Sequence, residues 1–138
     1  MADAKKYYSD IVTGFEFAPS VFQIDAETVS KYLRATEDDN PIHSLKIVPP
    51  MAVAAFAIRE MANRFVLPEG TVHVSQQLEF IKAAAIGETL TSLAKVTRKV
   101  QRGKFNMLNI SFNVVNHRKE PVLTGEAGFI LHPRFAEQ

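Results

Sequence analysis

The densest group of chemically capable side chains in the sequence is Asp38-Asp39-Asn40-Pro41-Ile42-His43. Asp38 and His43 stand five positions apart across an Asn-Pro bend, a spacing that can bring a carboxylate and an imidazole into one small volume. Such a pair can hold and polarise a water. The imidazole titrates near neutrality, and the carboxylate orients it or exchanges a second proton, which is what adding water across an activated double bond requires. The same residue types also suit capping and turning the chain, with His43 a polar residue at the approach to a helix. No further His or acid clusters with Asp38, Asp39 and His43, which disfavours a metal site. His73 reads as a polar-face residue of a strand, His117 as a turn residue, and His132 lies near the C-terminus.

Two helices must position this loop. Asp25 suits the N-cap of a helix from Ala26 to about Thr36, with Val29, Tyr32 and Leu33 on one face. That helix ends before the Asp-rich loop, because Asn40 precedes a proline and is driven towards an extended conformation. Downstream, Pro49 and Pro50 open an alanine-rich apolar run from Met51 to Phe65, read as a buried helix of roughly 22 Å. Only Arg59, Glu60, Asn63 and Arg64 make a polar strip on it, so most of its circumference needs cover.

The cover must come from strands. Beyond the turn Pro68-Glu69-Gly70, period-two patterning predicts strands over Thr71–Phe80, Thr89–Val100, Phe105–Asn116 and Val122–Leu131. On the first, Val72, Val74, Gln76, Leu78 and Phe80 should share a face. On the third, Leu108, Ile110, Phe112 and Val114 should oppose Met107, Asn109, Ser111, Asn113 and Val115. Two shorter extended segments, Gly14–Phe17 and Val21–Ile24, precede the first helix, and residues 1–10 are expected to be loosely held. The order predicts an α+β fold in which an antiparallel sheet curls around one long central helix. A single sheet leaves an open edge and an open helix flank, so a dimer is expected.

Composition narrows the function classes. At 138 residues the chain reads as one domain, 1–138, able to bury a core without staples. It has no cysteine, which removes thiol nucleophiles and thiolate metal sites and agrees with a cytoplasmic setting. With 16 basic and 15 acidic residues it lacks the field needed to hold a polyanion, and nucleic-acid binding is disfavoured. No apolar stretch approaches a membrane span or a signal segment. The basic residues crowd two hairpin ends, Arg98, Lys99, Arg102 and Lys104 at one and Arg118 and Lys119 at the other. They suit solvated turns, and one group could meet the phosphates of a bound ligand at a dimer seam.

Asp38-Asp39-Asn40-Pro41-Ile42-His43, then Ile47-Val48-Pro49-Pro50-Met51 opening an apolar helix, then Val74-Ser75-Gln76-Gln77-Leu78-Glu79-Phe80, resembles the MaoC-like (R)-specific enoyl-CoA hydratases and dehydratases. Gly87-Glu88 and Thr124-Gly125-Glu126-Ala127 support the resemblance, which covers roughly Gly14 to Pro133. It implies a hot-dog fold, with a long helix wrapped by an antiparallel sheet. It implies Asp38 and His43 as catalytic residues sharing a water, and Asn40 shaping the loop and water site. The implied reaction is reversible syn hydration of a trans-2-enoyl thioester of coenzyme A or acyl carrier protein to the (3R)-3-hydroxyacyl thioester, with no metal or cofactor, in a homodimer or higher homo-oligomer.

The sequence departs from that family in two places. Active members often carry His-Gly where this chain has Pro49-Pro50, and the glycine N–H is the expected oxyanion donor. Proline has none, so the nearest donors are the amides of Met51 and Ala52. The family's acidic residue two beyond the histidine is Leu45 here, and the helical overhang that follows it is missing, which predicts a more open pocket. Two other readings follow: a non-catalytic hot-dog subunit paired with a different MaoC-like chain, and a hot-dog thioesterase in which Asp38 directs water at the carbonyl.

Overall fold

A computed structural model describes residues 5–132. The first four residues and Pro133, where the family resemblance ends, lie outside the described residues. The chain forms β1 (Lys6–Tyr7), β2 (Ser20–Phe22), α1 (Ala26–Ala35), α2 (Pro50–Arg64), β3 (Phe65–Val66), β4 (Val72–Phe80), β5 (Leu90–Arg102), β6 (Phe105–Val115) and β7 (Pro121–Leu131). Strands β2, β5, β6, β7 and β4 lie in that order in one antiparallel sheet, while β1 pairs in parallel with β3. The sheet curls around α2, the expected hot-dog α+β arrangement.

The small residues of α2 let the sheet come close. Ala52, Val53, Ala54 and Ala57 are buried with Phe112, Val114 and Leu123, and a second cluster gathers Met61 and Phe65 with Val96, Leu108, Ile110 and Phe129. Burying each large side chain is worth about 1.5–3 kcal/mol. Gly125 is required where β4, β6 and β7 press together: a Cβ there would lie 2.6 Å from the Phe112 ring and 2.8 Å from the Gln77 carbonyl oxygen. One flank of α2 stays open, with Met51, Ala55, Arg59 and Ala62 exposed.

Three expectations need correction. First, residues 6–10 are not loose. Lys6 and Tyr7 pair with Phe65 and Val66, and Tyr8 and Ile11 are buried. Second, a bulge between His73 and Ser75 interrupts β4, so its apolar residues do not share one face. Past the bulge, Gln76, Leu78 and Phe80 pair with Ala127, Gly125 and Leu123, whereas Val72 pairs with Ile130 and is exposed; His73 instead stacks on buried Phe129. Third, a bulge between Val96 and Arg98 turns Lys99 towards the N-terminal segment. Its ammonium donates to the Tyr8 carbonyl at 2.7 Å and the Ile11 carbonyl at 2.8 Å and lies over the Tyr8 ring, so Lys99 is a structural tie and not a phosphate contact. Burial pulls its pKa down, partly opposed by the charge of Asp10.

Candidate active site

The Asp-rich loop is launched by the end of α1. Asp25 caps the start of that helix, accepting from the Thr28 N–H at 2.7 Å. At its end the Glu37 N–H bonds to the Arg34 carbonyl and the Asp38 N–H to the Leu33 carbonyl, the paired bonds of a Schellman motif. Glu37 takes the left-handed conformation, φ 53°, that such a motif demands. The turn fixes the direction in which Asp38 leaves the helix.

From there the loop ties itself with short-range bonds. Asp38 Oδ1 accepts from the Asn40 N–H at 3.1 Å, and Asn40 Oδ1 accepts from the Ile42 N–H at 3.0 Å, capping a single 3-10 turn over Pro41–Leu45. The Ser44 hydroxyl donates to the Pro41 carbonyl at 2.8 Å. Lys46, φ 58°, ends the turn in the left-handed region, and the link to α2 then pairs with the β4–β5 connection: Ile86 N–H to the Lys46 carbonyl, Val48 N–H to the Ala84 carbonyl. The loop is therefore pinned to the helix on one side and to the sheet connection on the other.

This scaffold brings His43 Nε2 to 2.9 Å from Asp38 Oδ2. The His43 side chain is 13 % exposed and that of Asp38 40 %. The Asn40 N–H and then the His43 contact hold the Asp38 carboxyl below the ordinary aspartate range, with desolvation opposing them. Asp38 is a carboxylate at neutral pH, so the proton of the hydrogen bond sits on Nε2. His43 Nδ1 is buried with no hydrogen-bond partner among the described residues. The facing atoms of the two side chains are thus Oδ2 and Nε2, with the carboxylate the more exposed of the two.

The sequence-predicted donors at the start of α2 divide. Pro49 and Pro50 carry no N–H, and the Ala52 and Val53 N–H groups both donate to the Pro49 carbonyl, at 2.9 and 3.3 Å. Ala52 is therefore engaged within the turn. Met51 retains a first-turn N–H with no partner among the described residues, and its side chain is 53 % exposed. Asn40 has its side-chain oxygen engaged in the cap, and its side chain is exposed. Ile42 and Leu45, on the same turn as His43, are also exposed. Among the described residues no group of three His, Cys, Asp or Glu side chains could hold a metal ion.

Sequence reasoning missed the parts that hold the far wall of the loop. The Glu88 carboxylate accepts from the Ala85 N–H at 2.9 Å and faces His117 Nδ1 at 3.3 Å, so Gly87-Glu88 fixes the β4–β5 connection against which Lys46–Val48 pairs. Only the Gly-Glu dipeptide in a strand connection signalled it.

A carboxylate-imidazole pair on a tied loop beside a helix start, all within a sheet wrapped around that helix, defines a hot-dog protein of the hydratase and dehydratase class. The chain belongs to the family described as FAS1-like, dehydratase domain region, whose profile matches residues 11–125. Among solved structures it is similar to the R-hydratase PhaJ1 from Pseudomonas aeruginosa, with 22 % identity, 91 % of this chain and 84 % of that chain covered, and a TM-score of 0.76. It is also similar to the (R)-hydratase from A. caviae involved in PHA biosynthesis, with 19 % identity, 86 % and 96 % covered and a TM-score of 0.73. A third is the HadBC (3R-hydroxyacyl-ACP dehydratase) complex from Mycobacterium tuberculosis, with 18 % identity, 88 % and 98 % covered and a TM-score of 0.73. At these identities the likeness carries the fold. A sequence comparison with curated proteins returns no significant match. No described helix is long and apolar enough to cross a membrane.

Proposed function

We propose that this protein catalyses reversible syn hydration of a trans-2-enoyl thioester to the (3R)-3-hydroxyacyl thioester, with coenzyme A or acyl carrier protein as carrier. The observation that carries the reading is the 2.9 Å contact between His43 Nε2 and Asp38 Oδ2 on a loop that leads directly into the start of α2. A water held at these two atoms attacks Cβ as Asp38 takes its proton. His43 delivers the Nε2 proton to Cα on the same face. The proton gained by Asp38 then returns to His43 across the contact, so the pair ends as it began. Negative charge on the thioester oxygen is met by the Met51 N–H and the positive end of the α2 dipole. Asn40 holds the loop that carries the water. The cysteine-free sequence agrees with a cytoplasmic setting.

A second copy completes the assembly in this reading. Strand β4 is the long edge of the sheet, and Val72, Val74, Phe80 and Ile81 are exposed along and just beyond it. An unpaired, partly apolar edge of this length is a natural pairing surface. The Pro49-Pro50 pair favours one other reading, a subunit whose missing donor and overhang come from a different MaoC-like chain. The size and subunit composition of the native complex separate the two.

The test is incubation of the pure protein with crotonyl-CoA, following enoyl absorbance and free thiol together. Loss of absorbance without thiol is the expected result. Thiol release indicates a thioesterase, and inertness towards short and long enoyl thioesters overturns the catalytic reading.

A further inference from the structure

Ala85, in the β4–β5 connection, is gripped from both sides. On one side it lies opposite Ile47 in the link between His43 and α2, an antiparallel bridge closed by the Ile86 N–H on the Lys46 carbonyl at 3.0 Å and the Val48 N–H on the Ala84 carbonyl at 2.8 Å. In a bridge bonded this way the two facing residues turn their own N–H and carbonyl groups away from each other. Glu88 takes both of those outward groups of Ala85. The Ala85 N–H donates to Glu88 Oε2 at 2.9 Å, and the Ala85 carbonyl accepts from the Glu88 N–H at 3.1 Å. One residue thus shapes the strip against which the link pairs.

The clasp is itself braced. Glu88 Oε1 lies 3.3 Å from His117 Nδ1, and the Glu88 side chain is only 14 % exposed although it ends in a carboxyl. His117 stands on a turn fixed by Asn116, whose Oδ1 accepts from the Arg118 and Glu120 N–H groups at 2.9 and 3.0 Å. Gly87, φ 83°, turns the chain so that its N–H reaches the Ile24 carbonyl at 2.9 Å, one residue before the Asp25 cap of α1. Residues 84–88 therefore bond both to the start of the helix that delivers Asp38 and to the link that leaves His43. Lys46 follows His43 by three residues and Met51 follows Val48 by three, so the pairing at 46–48 sets how the reacting pair stands relative to the Met51 amide.

We propose that Glu88 is a positioning residue for the hydration: by engaging both backbone groups of Ala85 it holds the Lys46–Val48 link where Asp38, His43 and the Met51 amide can act on one substrate. The inference rests on the hydratase reading above and deepens it. The Glu88 carboxylate bonds to Ala85 and faces His117, and not Asp38 or His43, so its effect passes through the backbone. The clasp needs an acceptor at the Oε2 position and does not need a charge, which separates it from a long-range electrostatic role. A reacting group displaced by about 1 Å costs about 10²-fold in rate, so a slack link is felt at the chemistry.

Glu88→Gln keeps an acceptor and loses the charge. Glu88→Met and Glu88→Ala lose both, the first keeping the stem so that a folded variant without the acceptor is in hand. Lys99→Met, which loosens the N-terminal segment instead, controls for lost stability alone. Crotonyl-CoA hydration would be measured well below each variant's thermal midpoint, beside amide hydrogen exchange at Val48 and Ile86 followed by NMR. Glu88→Met should lower kcat by about 10- to 100-fold with KM within about twofold of wild type, and should speed exchange at both amides. Glu88→Gln and Lys99→Met should keep kcat within about threefold of wild type. Wild-type kcat in folded Glu88→Met, or a slowed one whose Val48 and Ile86 amides exchange as in wild type, overturns the positioning role and leaves the hydratase reading standing. Glu88→Gln or Lys99→Met slowed as much as Glu88→Met overturns it too. A wild type that turns over no thioester sinks the hydratase reading; faster exchange in Glu88→Met then still supports the clasp, and unchanged exchange overturns it.

Discussion

Replacing Pro50 with alanine should make this protein a faster hydratase. In the first turn of α2, Pro49 and Pro50 offer no N–H, and Ala52 and Val53 both spend theirs on the Pro49 carbonyl, leaving the Met51 amide as the free donor for a developing oxyanion. Alanine at position 50 adds a second N–H in the first helical position, where it has no intrahelical acceptor. One oxyanion donor is typically worth on the order of 10²- to 10³-fold in kcat in a dry site. The start of α2 is open here, with Pro50 and Met51 exposed, so a gain of about tenfold is the working expectation. The donor acts on charge present mainly in the transition state, so kcat should rise with KM little changed. Loss of a proline suited to the helix start should cost about 0.5–1 kcal/mol of stability. Enoyl absorbance at saturating crotonyl-CoA reads kcat, and circular dichroism checks the helix. An unchanged kcat in an intact Pro50→Ala protein would refute the placement of the oxyanion at the α2 start.

Lys99→Met should lower stability to urea by about 2–3 kcal/mol, since it removes charge-assisted bonds to the Tyr8 and Ile11 carbonyls while keeping the stem. Because Lys99 is held below its ordinary pKa of 10.5, the unfolded chain binds more protons between the folded value and 10.5; stability should rise with pH in that window, and Lys99→Met should lose the rise. Gly125→Ala should destabilise by about 1–3 kcal/mol and lower Tm by about 3–10 °C in a thermal melt, because the added Cβ meets both the Phe112 ring and the Gln77 carbonyl. Asp38 should titrate below 3.8 when followed by carboxyl-carbon NMR, and His43→Gln should move it back up. Since the depressed group binds fewer protons folded than unfolded, its stabilising contribution is present above the ordinary aspartate value and disappears as pH falls through the folded one; Asp38→Asn should remove that acid-side component.

Much of the scaffold can be read from local chemistry. Asp25 caps α1 as expected, α2 begins at the second proline, and Leu108, Ile110, Phe112 and Val114 are buried on one face of β6. These features depend on near neighbours in the chain. The bulges do not: a single extra residue in β4 or β5 inverts the faces that follow it, which is why His73 meets Phe129 and why Lys99 reaches the N-terminal segment. The Schellman turn before Asp38 was hidden because glutamate, not glycine, occupies its left-handed position. At the site, residue types and the family resemblance pointed to Asp38 and His43, and the fold supplied what they could not: the 2.9 Å contact, which nitrogen faces the carboxylate, and the loss of Ala52 as a donor.

The central claim is that Asp38 and His43 act as one unit on one water. The most direct measurement is a double-mutant cycle in kcat for crotonyl-CoA hydration with Asp38→Asn, His43→Gln and the pair together. If the two share the reaction, each single change removes nearly all of the enzymatic rate and the double variant is no slower than the worse single. Losses that multiply, or a single variant that keeps wild-type turnover, would contradict it.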